Sequence, residues 1–414
     1  MDRPAEPISR RDAMLAGAGL AAASFGLASK PRRSAAAPAK RTGAVRPAAR
    51  PERRPASLPA QHPAARPERP RADRTPDWLA DLTPQQLAGQ RVISSYSGLT
   101  PPSSLLQQIS AGETSGVIFI TGNISSESQI QSVIAQFVQA SKQSPVNAPL
   151  LLMTDQEGGQ VRRLPGEPVL SEKQIGASAN PASAASQAGT GAAQNLSGVG
   201  MNVNLAPVLD VYRHAGNFID QFQRSYSKNA STVSVCGQAC ITAMQQGGVA
   251  ATAKHFPGLG AAATSQNTDV QPVTLNVSLS SLRAMDEFPY QSAIAAGVKL
   301  VMASWAVYPA LDARLPAGLS PAIVGGELRS RLGFGGVTIT DALEAGALKA
   351  YGTSAQRGVL AAGAGMDLLL CAQGDPTQGQ DVATALAAAL QSGQLSQQAF
   401  TASVNRITAL RNSL

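Results

Sequence analysis

From Arg91 onward the chain repeats one pattern: a short, mostly apolar run, then a longer stretch whose apolar residues recur at helical spacing. The apolar runs are residues 91–97, 116–121, 150–155, 202–208, 249–254, 299–305, 336–341 and 366–371. Most are apolar throughout rather than alternating, as expected of parallel strands buried on both faces. Helical stretches lie between them at 126–141, 183–196, 232–246, 280–296, 322–332 and 353–362, and two more, 381–391 and 396–410, close the chain. Eight β runs, each followed by a helix or crossover, predict an α/β fold: a single-domain (β/α)8 TIM-like barrel over residues 77–414. A doubly wound open sheet is the alternative. It usually carries a phosphate-binding glycine loop, and no GxGxxG or Walker pattern follows the first runs.

The first 76 residues follow a different pattern. Ser9-Arg10-Arg11-Asp12-Ala13-Met14-Leu15 sets paired arginines before an apolar run of about 16 residues, from 13 to 28. That run is shorter than the roughly 20 residues needed to span a bilayer, so it reads as a signal h-region. The arginine pair points to twin-arginine export, with small-residue cleavage positions near Ala37 or Ala39 and a signal over 1–39. No cysteine follows as a lipid attachment point. Residues 40–76 are rich in Pro, Arg and Ala and poor in large apolar side chains, so they are expected to form a disordered linker. Its positive charge suits contact with an anionic envelope, and a plain solvated spacer is the simpler alternative.

Charge divides along the same boundary. The formal net charge of the whole chain is +8, but residues 1–75 hold 16 Lys/Arg against 6 Asp/Glu, and the rest holds 18 against 20. The folded part is slightly acidic, which argues against a nucleic-acid-binding domain and leaves any such binding to the basic linker. Apolar residues make up 43% of the chain, enough for a large core, while aromatics are only 4%. Three cysteines, Cys236, Cys240 and Cys371, give no disulfide framework. Cys236 and Cys240 stand i, i+4 in a predicted helix, where a bridge would be strained. No His/Cys/Asp cluster has metal-ligand spacing, so no metal or other cofactor is expected.

The chemistry sits where apolar runs end abruptly in polar residues. Leu150–Met153 gives way to Thr154-Asp155-Gln156-Glu157, Val249–Ala253 to Lys254-His255, and Val337–Thr340 to Asp341. In a barrel these are C-terminal strand ends, where catalytic groups gather. The segments TDQEGGQVRR (154–163), NLAPVLDV (204–211), RSYS (224–227), KHFPGLG (254–260), GFGGVTITDALEAGA (333–347) and AGAGMDLLL (362–370) occur in that order. Together they resemble glycoside hydrolase family 3, in particular its single-domain β-N-acetylhexosaminidases, over residues 83–407.

The resemblance implies roles residue by residue. Asp341 matches the nucleophile that attacks the anomeric carbon and forms a covalent glycosyl-enzyme, giving net retention. A carboxylate there can stabilise oxocarbenium character and then trap it. Asp155 matches a binder of sugar hydroxyls, since a carboxylate accepts two such bonds at once. Arg163, Arg224, Lys254 and His255 match the groups that clamp the remaining hydroxyls and the 2-position. Glu157 and Asp210 read as buried structural carboxylates bonded to backbone N–H groups. Trp305 is either a platform for a sugar face or a core residue.

The departure is at the general acid. Single-domain relatives carry an Asp-x-His dyad on the flexible loop after the fifth strand. Here residues 259–272 contain no histidine, and Gln266-Asn267-Thr268 stands in the dyad's place. Two-domain relatives supply a Glu from a second domain, and the 43 residues after Cys371 are expected to be too few for one. Asp269, one residue beyond the dyad position, is the first candidate, swinging in to protonate the leaving group. His214 or another carboxylate is the second, and a weak hydrolase, sugar-transfer catalyst or binder is the third. The resulting expectation is an exported retaining glycosidase acting on β-linked N-acetylglucosaminides from peptidoglycan or chitin. A β-glucosidase of the same fold and a non-catalytic saccharide-binding protein are the rivals.

Overall fold

The computed structural model describes Leu79 and residues 81–414. The expected signal, the linker and the boundary at residue 77 lie outside the described residues. Eight strands carry the fold: β1 (Val92–Ser94), β2 (Gly116–Phe119), β3 (Leu151–Thr154), β4 (Val203–Asn204), β5 (Ala250–Phe256), β6 (Leu300–Ala303), β7 (Val337–Thr340) and β8 (Leu369–Leu370). Each falls on one of the eight apolar runs, and β5 extends two residues past its run. Neighbours pair in the order β7-β6-β5-β4-β3-β2-β1-β8, always in parallel. A parallel bridge between Ile339 and Leu368 closes the ring. There the Leu368 N–H donates to Thr338 O at 2.8 Å and the Thr340 N–H to Leu368 O at 3.0 Å. The expected (β/α)8 barrel is therefore the fold.

The continuous apolarity of the runs has a simple cause: both faces of each strand are buried. Ile118, Leu151, Met153, Leu300, Met302, Val337 and Ile339 fill the barrel interior. The residues between them, such as Val117, Phe119, Leu152 and Val301, pack outward against the helices. Outside β2, Tyr96, Phe119 and Phe137 form an aromatic knot with ring centroids 6.0–6.4 Å apart.

Helices follow the strands in turn: Ser103–Ala111, Glu127–Ser141, Pro181–Gly198, Ala230–Gln246, Phe288–Ala295, Ala322–Arg331, Ser354–Ala364 and Pro376–Gln391. Several start where a polar side chain accepts an orphan N–H, as Ser126 does from Gln129, and Thr353 from Gln356 in a capping box. The first helix, Ser103–Ala111, was missing from the sequence reading. Its short stretch begins after two prolines without a side-chain cap. The helix expected over 280–296 is broken into Leu279–Ser281, a π-type turn Leu282–Asp286, and Phe288–Ala295. Pro289 explains the restart, because it has no N–H to continue the preceding turn. Ala322–Arg331 is also π-type and contains Gly325-Gly326. Cys236 and Cys240 lie buried in Ala230–Gln246 as free thiols, and Cys371 is likewise free and buried.

The last helix, Gln397–Arg411, stoppers the N-terminal end of the barrel. Ile407 and Leu410 join the interior cluster, and Arg411 donates to Ala148 O at 2.8 Å and to Pro149 O. Beside the β7–β8 closure, the buried Asp367 accepts from Arg329 at 2.6 Å, Arg406 at 2.7 Å and the Thr338 N–H at 2.9 Å. Burial works to raise this carboxyl, but Arg329 and Arg406 outweigh it and hold it below the ordinary range. Its stabilisation is therefore complete above the unfolded value of about 3.9 and fades as pH falls through the lower folded value. Asp367→Ala should cost about 3–5 kcal/mol at neutral pH by leaving Arg329 and Arg406 without their carboxylate. Urea unfolding measures this, and a midpoint unchanged from wild type would deny Asp367 any part in closure.

Candidate active site

Asp155 and Asp341 are the first residues beyond β3 and β7, and Lys254 and His255 lie near the end of β5. Their register places all four at the C-terminal end of the barrel. The register of β5 with β6 slips between Ala253 and Phe256, where Lys254 and His255 are seated, and the peptide joining these two is cis. Lys254 is 1% exposed and its Nζ donates to Asp155 Oδ1 at 2.8 Å and to Glu157 Oε1 at 2.6 Å. Arg224, from the loop after β4, grips the same Glu157 with two parallel bonds: Nε to Oε2 at 2.9 Å and Nη2 to Oε1 at 2.8 Å.

Glu157 is buried as expected, but its partners differ from expectation. The sequence pairs it with backbone N–H groups, whereas two cationic side chains, Arg224 from the loop after β4 and Lys254 from β5, hold it. Only the closed barrel brings residues 157, 224 and 254 together. Asp210 does follow the expected pattern: its Oδ1 accepts the N–H groups of His255 (3.3 Å) and Leu259 (2.6 Å). Its Oδ2 lies 2.8 Å from His255 Nδ1 and so orients the imidazole, whose Nε2 faces Arg224 Nη2 at 3.5 Å.

The electrostatics follow from these contacts. Burial would raise the carboxyls of Asp155 and Glu157, but Lys254 and Arg163 beside Asp155, and Arg224 and Lys254 beside Glu157, hold both below the ordinary carboxylate range. Burial would lower Lys254, yet the carboxylates of Asp155 and Glu157 outweigh it and raise the ammonium. The cluster therefore stays fully charged at neutral pH. The Asp155 side chain keeps 22% exposure, which leaves it able to accept hydroxyls from the mouth.

Sequence reasoning missed the side chains that shape this mouth. Asn204, the last residue of β4, clamps Gln156 by its main chain: Oδ1 accepts the Gln156 N–H at 2.9 Å and Nδ2 donates to Gln156 O at 3.0 Å. Gln156 in turn accepts the Arg163 and Leu164 N–H groups and donates to Leu164 O and Glu167 O. It thereby folds the hairpin of Gln156–Gly158 and Val161–Arg162 and carries Arg163 to the mouth. A polar residue at a buried strand end was the available signal. Beneath the cluster, Glu172 is buried and accepts the Val208 N–H at 2.9 Å. Burial and the nearby Glu157 charge raise its carboxyl above the ordinary range.

Asp341 is held differently from the other acids. Its Oδ1 accepts the Ala342 N–H at 2.7 Å, and its Oδ2 has no hydrogen-bond partner among the described residues. The carbonyl of Ala342 accepts from Trp305 Nε1 at 2.9 Å. Trp305 is 1% exposed, so it is a core residue bracing the Asp341 turn rather than a sugar platform. Asp269 is half-buried on the loop after β5, and His214 is exposed on the loop after β4. Among the described residues no cluster of three or more His, Cys, Asp or Glu is placed to hold a metal, and no helix is long and apolar enough to cross a membrane.

This mouth can accept hydroxyls, donate to them from fixed cations, and present one carboxylate, Asp341, that no ion pair ties down among the described residues. Comparison with known proteins agrees with that chemistry. Residues 87–410 match the model of the glycosyl hydrolase family 3 N terminal domain. An uncharacterized secreted glycosyl hydrolase of Arthroderma benhamiae is 50% identical over 329 residues, 79% of this chain and 93% of that protein. The structure of a family 3 β-N-acetylglucosaminidase from Paenibacillus sp. str. FPU-7 aligns with a TM-score of 0.76 and 33% identity, over 80% of this chain and 62% of that one. A β-N-acetylhexosaminidase from Beutenbergia cavernae aligns at 0.72 and 31%, over 80% and 99%. With barrel, charged mouth and family match in agreement over most of the described residues, the chain belongs to glycosyl hydrolase family 3.

Proposed function

We propose that the chain is an exported retaining β-N-acetylhexosaminidase that removes terminal N-acetylglucosamine from cell-wall or chitin-type saccharides. The observation that carries this reading is that Asp341, at the barrel end where Asp155 and Glu157 are paired with Lys254 and Arg224 and Asp210 is bonded to His255, bonds only to a neutral N–H among the described residues. A carboxylate neutralised by a cation is a weaker nucleophile than one bonded only to a neutral N–H, because attack must give up the ion pair. The substrate class rests on the names of the Paenibacillus and Beutenbergia relatives. Export rests on the arginine pair at Arg10-Arg11 and on the secreted relative.

In the proposed reaction Asp341 Oδ2 attacks the anomeric carbon as the bond to the leaving oxygen breaks. Asp269 gives its proton to that oxygen, and the aglycone departs. Asp269, now a carboxylate, takes a proton from water, whose oxygen attacks the same carbon and releases Asp341. Two inversions leave the β configuration unchanged. Asp155, Lys254, Arg163, Arg224 and His255 bind the sugar hydroxyls and the 2-substituent. Asp269 rather than His214 takes the acid role because the loop bearing Asp269 packs against the segment after Asp341, through Gly346 N–H to Asp269 O at 2.7 Å.

On a panel of aryl glycosides the wild type should prefer N-acetylglucosaminide over glucoside, and Asp341→Ala should lose at least ~10³ in kcat. Similar rates for both proteins would overturn the nucleophile, and a glucoside preference would move the substrate to the β-glucosidase rival. Asp269→Ala should lose ~10²–10⁴ on a disaccharide and much less on an aryl glycoside with a good leaving group. Equal losses on the two substrates would remove Asp269 from the acid role. Lys254→Met should raise KM and destabilise the fold by about 3–5 kcal/mol, because Glu157 and Asp155 lose a buried partner. Steady-state kinetics with thermal unfolding checks both halves, and an unchanged KM would count against sugar binding by Lys254.

A further inference from the structure

Residues 259–272 contain no long regular element, the kind of segment expected to move, yet both of its flanks are bonded. On the β4 side, Gly260 O accepts the Arg213 N–H at 2.9 Å and Asn217 Nδ2 at 2.7 Å, and Ala262 O accepts the Phe218 N–H at 3.3 Å. Thr264 donates to Gly216 O at 2.7 Å and accepts at its carbonyl from Gln221 Nε2 at 3.1 Å. On the β7 side, Asp269 O accepts the Gly346 N–H at 2.7 Å and Thr268 O accepts the Ala347 N–H at 3.0 Å. Within the loop, Asn267 Oδ1 accepts the Asp269 N–H at 2.8 Å. Both main-chain polar groups of Asp269 are thus fixed, and its neighbour Thr268 is buried.

We propose that Gly346 is a positioning residue: it clips the loop after β5 to the nucleophile's own segment, so that Asp269 acts from a fixed wall instead of a swinging flap. The inference rests on the reading above, with Asp341 as nucleophile and Asp269 as acid. A Cβ on Gly346 would lie 2.0 Å from Val270 O and 2.9 Å from Asp269 O, both backbone atoms that cannot rotate aside. Its φ is outside the left-handed region, so what alanine would lose here is space rather than conformation. Gly346 opens the 3₁₀ turn Gly346–Tyr351, five residues past Asp341. One segment therefore carries the nucleophile and anchors the backbone of the acid, placing the two groups without a loop-closing step.

The test is leaving-group selectivity. Gly346→Ala should lose ~10² or more in kcat/KM on an N-acetylglucosamine disaccharide and only ~3-fold on p-nitrophenyl N-acetylglucosaminide, whose leaving group needs no proton. Combined with Asp269→Ala, it should add little further loss on the disaccharide, because the two changes act through one group. Equal losses on both substrates, or fully additive losses, would overturn the clip. Should Gly346→Ala fail to fold, Asn267→Ala removes only the acceptor of the Asp269 N–H and should show the same selectivity to a smaller degree; no selectivity overturns the proposal. Hydrogen exchange on the wild type gives an independent readout: the Gly346 and Ala347 amides should be protected, and exchange at the free-peptide rate would contradict a fixed wall. A wild type inactive on both substrates, or an active Asp341→Ala, would instead overturn the underlying reading. An active wild type and an inactive Asp341→Ala, with no selectivity in Gly346→Ala, would overturn the clip alone.

Discussion

The active-site mouth depends on one buried carboxylate, Glu157, shared between Lys254 and Arg224. A lone charge at that depth would be too costly to bury, and even a single ion pair recovers its desolvation only with good geometry. Here the guanidinium contributes two parallel bonds and the ammonium a third, and the ammonium bonds onward to Asp155. Opposite charges alternate through the chain Arg224–Glu157–Lys254–Asp155, so each stabilises the ionised state of the next. Removing Glu157 would leave Arg224 without its carboxylate, and removing Lys254 would leave Asp155 without the cation bonded to it. The arrangement holds these side chains in fixed positions without a ligand, as electrostatic preorganisation requires.

That commitment also distinguishes the carboxylates by availability. Asp155, Glu157 and Asp210 have the same chemistry as Asp341 but spend it on cations and N–H groups. Asp341 bonds only to its neighbour's neutral amide and faces no cation within ion-pair distance among the described residues. Trp305 completes the division by bonding the far side of that same residue, Ala342, so the turn cannot relax towards another donor. A buried aromatic that looks like filler thus helps to fix the turn that carries Asp341.

The loops around the mouth follow a related rule. Short peptide segments without a core of their own are held by pairing their backbone groups with neighbouring loops. Gln156 and Asn204 do this for the segment after β3, and the bonds from residues 213–221 and 346–347 do it for the segment after β5. The result is a rim braced from loop to loop on the barrel.

The eight strands, their parallel pairing and the polar residues at their C-terminal ends were legible in the chain itself, because burial on both faces leaves a local signature of unbroken apolar runs. Asp341, Asp155 and the Lys254-His255 pair were legible for the same reason, standing where apolarity stops. The helix 103–111, the break at Pro289 and the partners of Glu157 were not. The first is short and lacks a capping side chain, the second is a local failure of N–H supply inside an otherwise helical stretch, and the third joins residues 67 and 97 positions away. Which carboxylates are ion-paired and which is not, whether Trp305 is exposed or in the core, and which loops the segment after β5 bonds to were decided only by tertiary structure. Each depends on contacts between distant strands, and neither composition nor spacing records distance in space.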